Sequence, residues 1–307
     1  MNARSQTVLG TELPALIGKT PLVPIRSWNR QHPERPIYAK AEWMNPGGSV
    51  KDRPALQIVK TALEGNELGR GRVLLDATSG NTGIAYAMLG AWYGFPVELA
   101  VPANCSPERK KLLKAYGAVV HYTDPLSGSD GAILKVRELR ASHPDRYFVA
   151  DQYGNDENWK AHYLTTAEEI WRQTRGEVTH FVAGIGTSGT LMGTGRRLRE
   201  LNPEVAIVAV EPAHALHGLE GLKHMDSSIL PPIYRRDFAD RKLSADTEDA
   251  YTATRRLAQE GYAVGMSSGA ALVAALEVAT GIEHGVVVTI FPDSLERYLE
   301  SALMDPW

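Results

Sequence analysis

The chain is poor in the features that mark several protein classes. It has one cysteine, Cys105, among 307 residues. An internal disulfide is therefore excluded, and a reducing compartment is the expectation. No apolar run reaches the roughly 18 residues of a membrane-spanning helix. Met1 to Thr11 is polar and carries no apolar signal core, so a cytoplasmic location is expected rather than export. Neither sign of charge dominates, with 33 Lys and Arg against 36 Asp and Glu and a formal net charge of -3. That balance gives no electrostatic reason to expect nucleic acid or an anionic membrane as a partner. Repeats and low-complexity tracts are absent. His214 and His217 lie close together with His224 beyond, but no carboxylate or thiolate pattern accompanies them, and no metal is expected. No His or Asn pattern points to Cys105 as a nucleophile.

What the chain does have is an alternation of strand and helix patterns joined by loops of small residues. Strands are expected at Leu22 to Ile25, Val73 to Ala77, Val97 to Val101, Ala118 to Tyr122, Tyr147 to Ala150, His180 to Ala183, Ala206 to Val210 and Val286 to Phe291. Helices are expected between them, among them Asn158 to Thr174 and Gly189 to Leu201, with Leu295 to Met304 at the end. Pro212 to Leu243 lacks periodicity, which suits a functional loop better than filler. Alternating strands and helices imply parallel sheets covered on both faces. A chain of this length admits one or two domains, and two α/β units with a cleft between them are the natural reading. Loops at the carboxyl ends of strands should line that cleft.

One stretch organises the rest, Asn45-Pro46-Gly47-Gly48-Ser49-Val50-Lys51-Asp52-Arg53. It runs into a helix whose apolar face is Ala55, Leu56, Val59, Ala62 and Leu63. Lys51 is thus expected at a helix start, where the dipole and nearby Arg53 favour the neutral amine that a nucleophile needs. Three further loops are candidate ligand sites. Thr78-Ser79-Gly80-Asn81-Thr82-Gly83 can converge hydroxyls, an amide and free N–H groups on a carboxylate or phosphate. Gly184-Ile185-Gly186-Thr187-Ser188-Gly189-Thr190 matches G-x-G-x-x-G, and Glu211 closes the next strand where a dinucleotide site would place its ribose-binding acid. The loop's hydroxyls equally suit a single phosphate monoester. Gly265-Met266-Ser267-Ser268-Gly269-Ala270 opens another helix, and a cap explains it as well as a site does. Gly18-Lys19-Thr20 matches the end of a P-loop, but Leu13 stands where that motif needs glycine.

Together these motifs resemble the cysteine synthases among the fold-type II pyridoxal-phosphate enzymes. The likeness spans nearly the whole chain, from Leu16-Ile17-Gly18-Lys19-Thr20-Pro21-Leu22 to Pro292-Asp293-Ser294 with Glu296-Arg297-Tyr298-Leu299. It implies two three-layer α/β/α units with mostly parallel sheets, as in the tryptophan synthase β chain. Residues 42–146 would form a smaller mobile unit, and 1–41 with 147–307 a larger one. The implied cofactor is pyridoxal 5'-phosphate, with Lys51 forming the Schiff base and Asn81 bonding the ring hydroxyl. Gly186, Thr187, Ser188, Gly189 and Thr190 would hold the phosphate, and Ser267 would meet the pyridine nitrogen. Thr78, Ser79, Thr82 and Gln152 would receive the substrate carboxylate.

The implied reaction replaces the β-substituent of an O-activated serine with sulfur, by way of an aminoacrylate, and Lys51 moves the α-proton. Gly221-Leu222-Lys223-His224-Met225 resembles a segment of the second, more promiscuous cysteine synthase branch. That segment carries an arginine, which in some members receives the phosphate of O-phosphoserine. Lys223 stands in its place, as a phosphate receptor or as a solvated loop lysine. O-acetylserine stays ahead of O-phosphoserine as the expected substrate. Sulfide, thiosulfate and a sulfur-carrier protein remain open as donors, and a homodimer is implied. The alternatives are a cystathionine β-synthase or a diaminopropionate-forming enzyme, a nicotinamide-dependent dehydrogenase, and a catalytically silent homologue.

Overall fold

The computed structural model describes residues 12–305 apart from Arg70 and Ser79. Its strands in chain order are β1 (Leu22–Pro24), β2 (Ile37–Ala41), β3 (Val73–Ala77), β4 (Val97–Pro102), β5 (Val119–Thr123), β6 (Tyr147–Val149), β7 (Val178–Gly184), β8 (Ala206–Pro212), β9 (Arg241–Ala245) and β10 (Val286–Phe291). The helices are α1 (Arg26–Gln31), α2 (Asp52–Glu64), α3 (Asn81–Tyr93), α4 (Pro107–Ala115), α5 (Gly128–Ser142), α6 (Asp156–Ala161), α7 (Ala167–Gln173), α8 (Gly189–Leu201), α9 (Thr247–Gln259) and α10 (Met266–Thr280).

Two sheets result. The smaller has the order β5-β4-β3-β6 and is parallel throughout. The larger has the order β1-β2-β10-β7-β8-β9, with only β1 antiparallel to its neighbour. The inner strands of each sheet are buried on both faces, as parallel sheets are. In β3, Leu74 joins the cluster under α2 and α3, while Val73, Leu75 and Ala77 face the one under α5. In the larger sheet Val182, Val208 and Val287 pack toward α9 and α10. Their neighbours Phe181, Ile207 and Val288 pack toward α7 and α8. The fold is thus the expected pair of α/β units.

The structure corrects three local expectations and adds a π turn to a fourth. Tyr147 pairs with Val73, so β6 belongs to the smaller sheet, beyond the boundary expected at residue 146. The span Leu295 to Met304 is not one helix but two short 3-10 turns, Leu295–Tyr298 and Ala302–Met304. Ser301 uses both its N–H and its hydroxyl on the Tyr298 carbonyl, which closes the first turn instead of extending it. Two strands were not anticipated. β2 carries Lys40, fully buried, which interrupts its apolar pattern, and β9 is an edge strand whose exposed residues include Arg241 and Lys242. The helix expected at Asn158 to Thr174 exists as α6 and α7, joined by a π turn over His162–Thr166. Among the described residues no helix is long and apolar enough to cross a membrane.

Candidate active site

The carboxyl ends of β3, β7 and β10 meet the amino ends of α2, α3, α8 and α10 around one cleft. Lys51 is set there by backbone pairing rather than by its own helix. Val50 N–H donates to the Pro292 carbonyl at 2.8 Å, and Ser49 bridges Asp293 beyond the end of β10. α2 then buries Ala55, Ile58, Val59 and Ala62, with Leu56 and Leu63 partly covered at the margin. A cavity of about 200 Å³ opens beside Lys51, lined also by Asn81, Thr82, Gln152, Thr187 and Lys223. A smaller hollow adjoins it, where Lys51 and Asn81 meet Ser188, Thr190, Ser267 and Asp293.

Burial holds the Lys51 amine below the usual lysine range, and the Asp293 carboxylate opposes that shift. Arg53, expected to help, faces away. Its guanidinium is locked between Glu42 and Glu169, 2.7 and 2.8 Å away, and Lys40 completes this buried group 2.6 Å from Glu169. The neutral amine is therefore favoured by desolvation, not by a neighbouring cation.

The loop between β7 and α8 is shaped for a small anion. Ser188 precedes α8 with φ at +70°, and its buried hydroxyl has no hydrogen-bond partner among the described residues. A side chain at Gly186 would place Cβ 2.2 Å from the Gly221 carbonyl, and one at Gly189 would fall 1.9 Å from Asn158 Oδ1. Thr187 accepts a hydrogen bond from Asn158 Nδ2 at 2.9 Å. Thr190 shares one with His162 Nε2 at 3.3 Å, and burial keeps that ring neutral, its pKa down to about 3. An unpartnered hydroxyl, two glycines with no room for Cβ and a helix amino end fit a phosphate monoester. An amine whose proton is loosened by burial lies across the same hollow. These residues fit pyridoxal phosphate.

The loop after β3 divides its tasks. Thr82 donates to Gln152 Oε1 at 2.7 Å, and both line the larger cavity. Thr78 is buried behind them, its hydroxyl accepting from Gly80 and Gly83 N–H at 3.0 and 3.1 Å. It holds the start of α3 and does not line the cavity. Ser79 lies outside the described residues. Asn81 is clamped by two residues that sequence patterns did not single out. It donates to Asp293 at 2.6 Å and accepts from Arg297 at 2.7 Å. Asp293 and Arg297 lie within the terminal motifs, which was the one available signal.

Lys223 is no solvated loop residue. It is 6% exposed and ion-paired to Asp130 at 2.9 Å. Arg109 also lines the cavity, paired with Glu220 and stacked 5.2 Å from the Tyr298 ring centroid. Glu211, the acid that a dinucleotide site would need, is buried 2.7 Å from Lys242 and accepts the Met225 N–H. His224 bonds Ser227, and His217 accepts from the Leu219 N–H. Among the described residues no three such groups are placed to hold a metal ion.

Residues 13–293 match the family model described as pyridoxal-phosphate dependent enzyme. A cysteine synthase of Aquifex aeolicus is 55% identical over 94% of this chain and 90% of its own. Cysteine synthase B of Pseudomonas aeruginosa is 40% identical over 94% of this chain and 96% of its own. Among solved structures, O-acetyl serine sulfhydrylase isoform 3 from Entamoeba histolytica superposes with a TM-score of 0.90 at 36% identity, covering 100% of this chain and 95% of that one. With a lysine, a phosphate cradle and a fold that all suit the same coenzyme, the chain belongs to the cysteine synthase family of pyridoxal-phosphate-dependent enzymes.

Proposed function

We propose that the enzyme makes L-cysteine from O-acetylserine and sulfide, with Lys51 as both coenzyme tether and proton carrier. One observation carries the reading: the Lys51 amine, kept toward its neutral form by burial, shares a hollow with Asn81, the Gly186 to Thr190 loop and Ser267. When bound, pyridoxal phosphate draws electrons from the α-carbon of the amino acid and acidifies its hydrogen. Gly186, Thr187, Ser188, Gly189 and Thr190 would hold the coenzyme's phosphate at the start of α8. Asn81, steadied by Asp293 and Arg297, would bond the ring hydroxyl. Ser267, in the same hollow, would offer the ring nitrogen a neutral hydroxyl rather than a carboxylate.

Thr82, Gln152 and Ser79 receive the substrate carboxylate near the start of α3, and Thr78 shapes that loop from behind. The freed Lys51 amine takes the α-proton and returns it once sulfur has added. Closure of the smaller unit, residues 42–146 with β6, on the larger excludes water during this interval. The solved relative named as an O-acetyl serine sulfhydrylase supports the choice of ester. A cytoplasmic homodimer belongs to the same reading, supported by the family likeness and by the single buried thiol of Cys105.

In Lys51→Ala, borohydride should fix no coenzyme to the protein, and turnover should fall by at least about 10³-fold. A coenzyme still fixed by borohydride in that variant would overturn the assignment.

A further inference from the structure

The irregular segment between β8 and β9 forms one wall of the cavity and is fastened to the opposite unit through the Arg109–Glu220 pair and, at Lys223 and Ile229, through one carboxylate, Asp130. Asp130 stands in the first turn of α5. One of its oxygens lies 2.9 Å from the Lys223 ammonium, and the other accepts the Ile229 N–H at 3.1 Å. The ammonium also lies 5.1 Å from the Tyr153 ring centroid, and Tyr153 is a further part of the cavity lining. Lys223 is thus buried, sited on the cavity and already matched in charge.

We propose that Asp130 is a specificity-determining residue: it serves as a built-in counter-anion for Lys223 and so bars doubly charged groups, a phosphate ester or thiosulfate, from the cavity. This rests on the reading of the Lys51 site as a cysteine-forming centre. A lone lysine on this wall would attract a phosphate leaving group as a point charge. Here a dianion must first part Lys223 from Asp130 and then lie beside the released carboxylate, which repels it. A neutral acetyl ester makes neither demand. The second cation on the cavity follows the same rule, since Arg109 is paired with Glu220. Asp130→Asn would leave Lys223 buried without its carboxylate, a vacancy that an external anion would fill.

The test compares kcat/KM for O-phosphoserine and O-acetylserine, with sulfide, in the wild-type holoenzyme, Asp130→Asn and the double variant Asp130→Asn/Lys223→Gln. Asp130→Asn should raise the phosphoserine-to-acetylserine ratio by at least about tenfold, and the double variant should lose that gain. Inorganic phosphate should raise the Tm of Asp130→Asn but not that of the wild type or the double variant. A ratio unchanged in Asp130→Asn, or a gain that survives in the double variant, would overturn the proposal. So would phosphate competing with O-acetylserine in the unaltered enzyme, an arm that needs no variant. If neither ester yields cysteine in any of these proteins, the cysteine-forming reading fails instead, while the Tm arm still judges the Asp130–Lys223 pair.

Discussion

Asn158 is a side chain with no chemical signature, yet it sets the phosphate end of the cavity. Its amide donates to Thr187 Oγ1 at 2.9 Å and also to the Gln152 carbonyl. One buried group therefore ties the anion loop to the residue expected to meet the substrate carboxylate. Nothing in a helical pattern distinguishes such an asparagine from a solvated one, because its partners lie in other elements. Thr78 is the converse case. It sits within a motif, but its hydroxyl is used on Gly80 and Gly83 N–H. Asn158→Ala should weaken pyridoxal phosphate binding about tenfold, the equivalent of one hydrogen bond of about 1.4 kcal/mol. Titration of the apoprotein with coenzyme measures this, and an unchanged Kd would show that Thr187 is held by other means.

At the scale of the element, α2 shows why helix position alone did not explain its reactive neighbour. Asp52, its first residue, is fully buried, with one oxygen accepting the Gly47 N–H and the other unpartnered among the described residues. Burial pushes its carboxyl up to about 7 from an ordinary value of 3.8. Between those values the folded chain holds a proton that the unfolded chain has released. The resulting stability is complete below pH 3.8 and is lost as the pH rises through about 7. Asp52→Asn cannot titrate. Its deficit against the wild type in urea unfolding should therefore shrink between about pH 5 and about pH 8.5. A deficit that does not change with pH would mean that Asp52 is ionised throughout.

Across the whole molecule, the two sheet units are joined by apolar packing, as where Val50 enters the larger unit's core, and by buried ion pairs. The Arg53 group is the most buried of them. It joins α2 to β2 and α7 through Lys40, Glu42 and Glu169. Its charges balance, so removing one member leaves a buried excess. Glu169→Gln should cost about 3 kcal/mol near neutral pH, read from urea unfolding. The Arg53 and Lys40 cations hold Glu169 down to about 2 from 4.5, so its contribution is present above pH 4.5 and is lost as the pH falls through about 2. The cost of the variant should accordingly shrink toward about pH 3, opposite in direction to Asp52→Asn. A cost that stays constant would show that Glu169 does not depend on its charge.

The alternating strands and helices, the parallel sheets, Lys51 ahead of α2 and the anion loop ahead of α8 are legible in the amino-acid order alone. Those features are local, because periodicity, glycine and hydroxyl spacing act within a few residues. What the charged groups do is set by packing between distant segments. Lys223 and Asp130 are 93 residues apart in the chain, and Arg53 and Glu169 are 116 apart. Sequence could not tell a receptor lysine from a solvated one, or assign the lowered proton affinity of Lys51 to burial rather than to Arg53. A charge's effect depends on its surroundings, and these are assembled from segments that meet only when the two sheets pack around the cleft.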